Sequence, residues 1–202
     1  MTFVGQDEHG GVPSQSRPEV DPPPFWRLEM VAAVERPRHV EVSPDGKTIL
    51  FLLDRDTSDA WLVPTSGGSP RRLTVDRELA AFWEDTPPVW SPDGTLVAYV
   101  TAGKLRVVST GGGPSRELLE ADNPVWVDDQ RLLVTIERKR CSRLAMVTVD
   151  DPWPRPLDGG LGDCSQVVVS PDRKWAVYTF FPPADRNCSD LRVVELPGGE
   201  TR

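Results

Sequence analysis

An all-β fold built from repeats is predicted by three observations. A tight-turn motif occurs four times, a glycine hairpin motif follows each copy, and the segments between them alternate apolar and polar residues. "VSPDGKTILFLL" opens at Val42, "WSPDGTLVAYV" at Trp90, "WVDDQRLLVTI" at Trp126 and "VSPDRKWAVYTF" at Val169. The equivalent positions Ser43, Ser91, Val127 and Ser170 are separated by 48, 36 and 43 residues. A period of about 42 fits one four-stranded blade of a β-propeller per repeat.

Each element follows from local chemistry. In "SPDG" the proline fixes φ at the second turn position, aspartate suits the third, and glycine takes the left-handed conformation that a Cβ opposes. Proline also drives the preceding serine toward an extended conformation, so the motif reads strand, turn, strand. "TILFLLD", "LVAYVT", "LRVVST", "RLLVTIE", "RLAMVTV", "WAVYTF" and "LRVVEL" then supply period-two strands. The second motif begins at Val63, Val108, Val147 and Val194, with Gly67-Gly68, Gly112-Gly113, Asp151-Pro152 and Gly198-Gly199 at its turn. Eight residues after each valine stand Arg71, Arg116, Arg155 and Arg202, and two further on stand Leu73, Leu118 and Leu157. The fourth leucine has no counterpart, so the fourth repeat reads as incomplete and cut within its outer strand. Blades are expected at about 37–78, 79–121, 122–160 and 161–202.

Two copies depart from the pattern. The third lacks the proline and glycine of its first turn, carrying Asp128, Asp129 and Gln130, and the fourth has Arg173 in place of the glycine. A side chain held left-handed there costs about 1 kcal/mol. Ahead of the repeats, residues 1–24 are rich in proline, glycine and polar residues and are expected to lack fixed structure. "PFWRLEMVAAVER" places Phe25, Leu28, Val31 and Ala32 at helical spacing between Pro24 and Pro37, giving a short helix over 25–36 or an edge strand.

The net charge of −8 argues against a nucleic-acid partner. The basic run "ERKR" at 137–140 reads as a solvated hairpin tip. No stretch approaches the ~20 apolar residues of a membrane span, and the start lacks a secretory signal, so the expected location is cytoplasmic. Cys141, Cys164 and Cys188 have no C-x-x-C spacing and read as buried structural thiols. With His9 and His39 as the two histidines, no metal centre or cofactor is expected. "DRDTSD" at 54–59 spaces Asp54, Asp56 and Ser58 like a calcium loop but has Asp59 for the required glycine and Thr65 for the required glutamate. It is therefore read as an exposed hairpin loop. Trp90 and Trp126 share one repeat position, which packing between blades explains. Phe180, Phe181, Pro182 and Pro183 lead into a loop through Asn187 that either faces a substrate or forms an ordinary long hairpin.

With "SPDG" at the first turn and "GGSPRRLT" at the last hairpin, residues 25–202 resemble the N-terminal propeller of the prolyl oligopeptidase family of serine peptidases. Bacterial acylaminoacyl-peptidase and dipeptidyl-peptidase-like members are the most similar, and 42–74 is the most family-like portion. The same "SPDG" repeats also occur in TolB-like and other WD40-like propellers. The resemblance implies a propeller that gates short peptides to an α/β-hydrolase domain with a Ser-Asp-His triad. No G-x-S-x-G nucleophile elbow occurs in this chain, and "SGGSP" and "GGGPSR" fall in hairpins. His39 is read as structural or surface. No catalytic, cofactor-binding or metal-ligating residue is nominated, and the chain alone is expected to be inactive. The expected partners are a hydrolase domain, on the same or a separate chain, and a peptide substrate. The alternative is a non-enzymatic interaction propeller, closed by self-association of its open blade edges.

Overall fold

The computed structural model describes residues 36–54, 58–74, 86–138, 141–157, 162–184 and 188–196. The segments expected to be unstructured (1–24) and to form a short helix or an edge strand (25–36, apart from Arg36) lie outside the described residues. Four antiparallel sheets follow one another along the chain. The first contains β1 (Arg36–Val42), β2 (Thr48–Asp54), β3 (Ser58–Pro64) and β4 (Arg71–Arg72) in that spatial order. The second contains β5 (Val89–Trp90), β6 (Leu96–Thr101), β7 (Lys104–Ser109) and β8 (Arg116–Glu120). The third contains β9 (Asp122–Trp126), β10 (Arg131–Arg138), β11 (Cys141–Thr148) and β12 (Arg155–Pro156). The fourth has three described strands, β13 (Asp163–Val169), β14 (Trp175–Phe181) and β15 (Asp190–Glu195). No helix occurs among the described residues. Four up-and-down sheets in sequence order are the blades of a partial β-propeller, the fourth incomplete among the described residues.

The blades stack through their faces. Leu50, Leu52, Ala60 and Leu62 of blade one pack against Trp90, Val97, Tyr99 and Val108 of blade two. Ala98, Val100, Leu105 and Val107, on the other face of blade two, meet Trp126, Leu132, Val134, Ala145 and Val147 of blade three. Leu133, Leu144 and Met146 of blade three meet Ala176, Tyr178, Phe180 and Val194 of blade four. The strand sequences record this arrangement. β10 is covered on both sides, so Leu132, Leu133 and Val134 are all buried in succession. β14 is covered on one side: Ala176, Tyr178 and Phe180 are buried, while Val177 between them is 37% exposed.

Among the described residues strand β9 lies along both β5 and β13, whereas no comparably extensive strand-to-strand contact joins β4, β8 or β12 to an adjoining blade. The first strands therefore converge on the inside of the arc. Each of β1, β9 and β13 carries a register shift, between Arg38 and Glu41, opposite Leu133–Thr135, and between Ser165 and Val168. Within those shifts His39, Asn123 and Gln166 hold positive φ of 50°, 51° and 51°. All three stand four residues before the turn position of their repeat, so the bulge is a repeat feature. Blade two has Pro87 there, whose ring forbids positive φ, and its first strand pairs over Val89 and Trp90 alone.

Candidate functional site

The first turn of blades one, two and four is a hydrogen-bonded unit, with serine and aspartate as its working parts. Ser91 Oγ donates to Asp93 Oδ1 at 2.6 Å and accepts from the Leu96 N–H at 2.9 Å. Asp93 Oδ1 also accepts from the Thr95 N–H at 3.0 Å. Ser43 with Asp45 and Ser170 with Asp172 repeat this geometry, at 2.7 and 2.6 Å for the hydroxyl–carboxylate bond. The Ser43 hydroxyl, then the Lys47 N–H, holds the Asp45 carboxyl below its usual range, and Ser170 and Lys174 do the same for Asp172. Partial burial works against the lowering at Asp93, but the Ser91 and Thr95 donors outweigh it.

Gly46 and Gly94 close their turns at φ 73°, and Arg173 closes the fourth at φ 59°, as its place in the motif predicts. Blade three solves the same problem differently. Its turn is one residue shorter, with the Val127 N–H bonded to Arg131 O. Asp128 accepts from the Gln130 and Arg131 N–H groups and holds the Arg131 guanidinium at 2.6 Å.

These turns and the ends of the first strands enclose a cleft of about 410 Å³ at the inner side of blades two, three and four. Trp90, Trp126, Pro92, Pro124 and Pro171 form its apolar wall, with Ser170 and Arg173 as its polar side chains. Both tryptophans also pack in the interblade cores, as their shared repeat position predicts. Trp126 Nε1 donates to Val89 O at 3.1 Å across blades two and three. Trp90 Nε1 is buried with no hydrogen-bond partner among the described residues.

Two of the repeat arginines join one blade to the next, a role their position in the motif does not reveal. Arg71 of blade one donates to Thr110 O of blade two, and Arg116 of blade two pairs with Asp150 of blade three at 3.7 Å. Arg155 pairs instead with Asp151 of its own blade at 3.4 Å, and Arg202 lies outside the described residues.

Other expectations fare unevenly. His39 is an exposed bulge residue on β1. Asp59, expected in an exposed loop, is instead buried and pairs with Arg72 at 2.7 Å, because it opens the strand that the arginine of β4 runs beside. Residues 55–57 lie outside the described residues. Of the three thiols expected to be buried, Cys164 alone is. Cys141 is half-buried and Cys188 exposed, both at strand or loop ends away from the interblade faces, and none of the three is in a disulfide among the described residues. Arg138 pairs with Cys141, while 139–140 of the basic run lie outside the described residues. Phe180 is core, with the Arg192 guanidinium 3.3 Å from its ring centroid, which removes it from any substrate-facing role. No group of three or more metal-ligating side chains occurs among the described residues.

No protein-family model matches the chain. It is 32% identical over 152 residues to the uncharacterized peptidase YuxL of Bacillus subtilis, a match covering 68% of this chain and 20% of that protein. The chain thus spans about a fifth of the curated relative it matches. A structure described as a putative TolB from Agrobacterium tumefaciens superposes with a TM-score of 0.60 at 18% identity, over 83% of this chain and 61% of that one. A structure from a study of two prolyl endopeptidases superposes with a TM-score of 0.61 at 16% identity, over 83% of this chain and 27% of that one. The chain is a partial β-propeller that resembles a curated peptidase in sequence and shares its fold with prolyl-endopeptidase and TolB propellers.

Proposed function

We propose that this chain is the substrate-gating, non-catalytic propeller portion of a serine peptidase of the prolyl oligopeptidase type, which cleaves short peptides. The observation that carries the reading is the 32% identity to a peptidase over 152 residues. The inner cleft supports it, since the first strands and turns of a propeller are the walls past which a peptide must travel to reach a hydrolase domain. That domain, on the same protein or a separate chain, is the partner this reading requires. Thiols kept out of disulfides suit a reducing cytoplasm, which this reading takes as the place of action.

The test uses a serine-reactive fluorophosphonate probe. The purified 202-residue chain is expected to take no label. A labelled hydrolase is expected in the source cells, either as a longer product containing this sequence or as a second polypeptide that co-purifies with it. Stoichiometric labelling of the chain itself, or purification from those cells with no labelled species, would overturn the proposal.

A second reading is a TolB-like or WD40-like interaction propeller closed by self-association. Its support is the structural match to the TolB protein, of which this chain covers the larger share. Val168 and Val177, paired across β13 and β14, are 64% and 37% exposed on the far face of blade four, a surface that a further blade or a second copy would cover. A defined oligomer in light scattering, without a hydrolase, favours this reading over the first.

A further inference from the structure

We propose that a cleft on the outer rim between blades two and three docks an arginine-bearing segment of a protein partner, with Trp153 as the platform for the guanidinium. This cleft shares no lining residue with the inner one, so the proposal is independent of either function given above.

Trp153 is the tryptophan that the repeat does not explain. Trp90 and Trp126 are buried between blades, but Trp153 is 74% exposed and belongs to none of the interblade cores. Its counterparts, six residues after the repeat valine, are Ser69 and Pro114. Blade three also carries Asp151-Pro152 where blades one and two use a glycine pair. Pro152 and Pro154 bracket the indole and fix φ on either side of it. Little backbone freedom is therefore left to lose when a partner covers the ring. Leu118 and Leu119 of β8 and Ile136 of β10 are continuous with the core between blades two and three, and they complete the apolar lining of a cleft of about 490 Å³.

Charge selects the occupant. The cleft is lined by three carboxylates, Glu120, Glu137 and Asp151, and by no cation. Asp151 is paired with Arg155 at 3.4 Å. Glu120 and Glu137 make no ion pair or side-chain hydrogen bond among the described residues. Lys104, cross-strand from Glu120, is held instead by Glu117 at 3.1 Å, and Arg116 is taken by Asp150. Glu137 also raises the Asp122 carboxyl, second to desolvation, so a cation arriving beside it relieves a repulsion already present. An arginine meets both demands at once. Its guanidinium stacks on the indole face, and its N–H fork pairs with a carboxylate in bidentate fashion. Tryptophan and arginine are the side chains that most often anchor protein interfaces, and the net charge of −8 favours approach of a cationic segment.

Calorimetric titration of the 202-residue chain measures the affinity, and tryptophan indole N–H signals in NMR locate the contact. The probes are acetyl-Ala-Arg-Ala-Arg-Ala-amide and the same peptide with citrulline, the uncharged isostere, or lysine at both arginine positions. The arginine peptide is expected to shift Trp153 saturably while Trp90 and Trp126, buried between blades, stay unmoved. The citrulline peptide is expected to bind at least about tenfold more weakly, as loss of a charge-assisted bidentate pair requires. The lysine peptide is expected to bind more weakly than the arginine one, since an ammonium offers neither the flat face nor the fork.

Trp153→Ala, and separately Glu120→Gln combined with Glu137→Gln, are each expected to weaken the arginine peptide about tenfold. Neither is expected to lower the urea midpoint, because all three side chains are exposed. An unlowered midpoint separates a lost contact from a lost fold. Equal affinity for the arginine peptide and either of its counterparts, or unchanged binding in either variant, would overturn the proposal. So would a shift at Trp90 or Trp126 in place of Trp153, or no saturable binding at millimolar peptide.

Discussion

Replacing Ser91 with alanine tests the first-turn unit most directly. The hydroxyl is fully buried and makes two bonds, to Asp93 Oδ1 at 2.6 Å and from the Leu96 N–H at 2.9 Å. Alanine removes both and leaves the Leu96 N–H without its side-chain acceptor at a site water does not reach. An unmade buried hydrogen bond of this kind costs about 1–3 kcal/mol. For a domain of this size that corresponds to a fall in Tm of about 3–10 °C. Urea unfolding followed by circular dichroism should show a lower midpoint with an unchanged slope. The gap should also narrow in acid. The Asp93 carboxyl is held low in the folded state, so its contribution is present above the ordinary carboxylate range and lost as pH falls through its folded value. Ser170, which is part-exposed, serves as the internal comparison. A change at Ser91→Ala below about 0.3 kcal/mol, or a larger effect at Ser170→Ala, would refute the reasoning, since buried unmade bonds outrank exposed ones.

Further outcomes follow from the same geometry. Trp126→Phe should cost about 1–2 kcal/mol in urea unfolding by removing the bond to Val89 O and opening space between blades two and three; no loss would mean that bond does not hold the blades. Leu133→Ala, at a fully buried position between blades three and four, should cost about 2–5 kcal/mol. Val177→Ala on the open face should change stability little, and the reverse order would contradict the assignment of faces. Desolvation first, and the Glu137 carboxylate second, raise the Asp122 carboxyl above its usual value. Its ionisation therefore disfavours the fold as pH rises through that value, and Asp122→Asn should raise the urea midpoint at neutral pH with the gain fading in acid.

The blade architecture was legible because turn chemistry is local. Pro44, Asp45 and Gly46 announce a turn whatever packs around them, and Arg173 could be placed left-handed from its position alone. The interblade role of Trp90 and Trp126 followed from their shared repeat position. What escaped were features with no residue-type signal. The inner-strand bulge falls on His39, Asn123 and Gln166, three unlike side chains, and none is the glycine that normally marks positive φ. The forward reach of Arg71 and Arg116 depends on the distance between blades, which a single repeat does not encode. Asp59 was misread because its partner, Arg72, arrives from a strand 13 residues later. The cleft was invisible for the same reason, since its walls come from three separate repeats.

The arginine links run one way, from Arg71 in blade one to blade two and from Arg116 in blade two to blade three. Each blade closes from one continuous stretch of chain, yet in blades one and two the arginine of the last hairpin finds its partner only when the next blade exists. Assembly of such a stack has a direction: a newly formed blade keeps a loose outer corner until its successor docks, and then becomes part of a larger cooperative unit. During synthesis that order matches emergence from the ribosome. Amide exchange should accordingly be slower in the strands of blades two and three, which are packed on both faces, than in β13–β15.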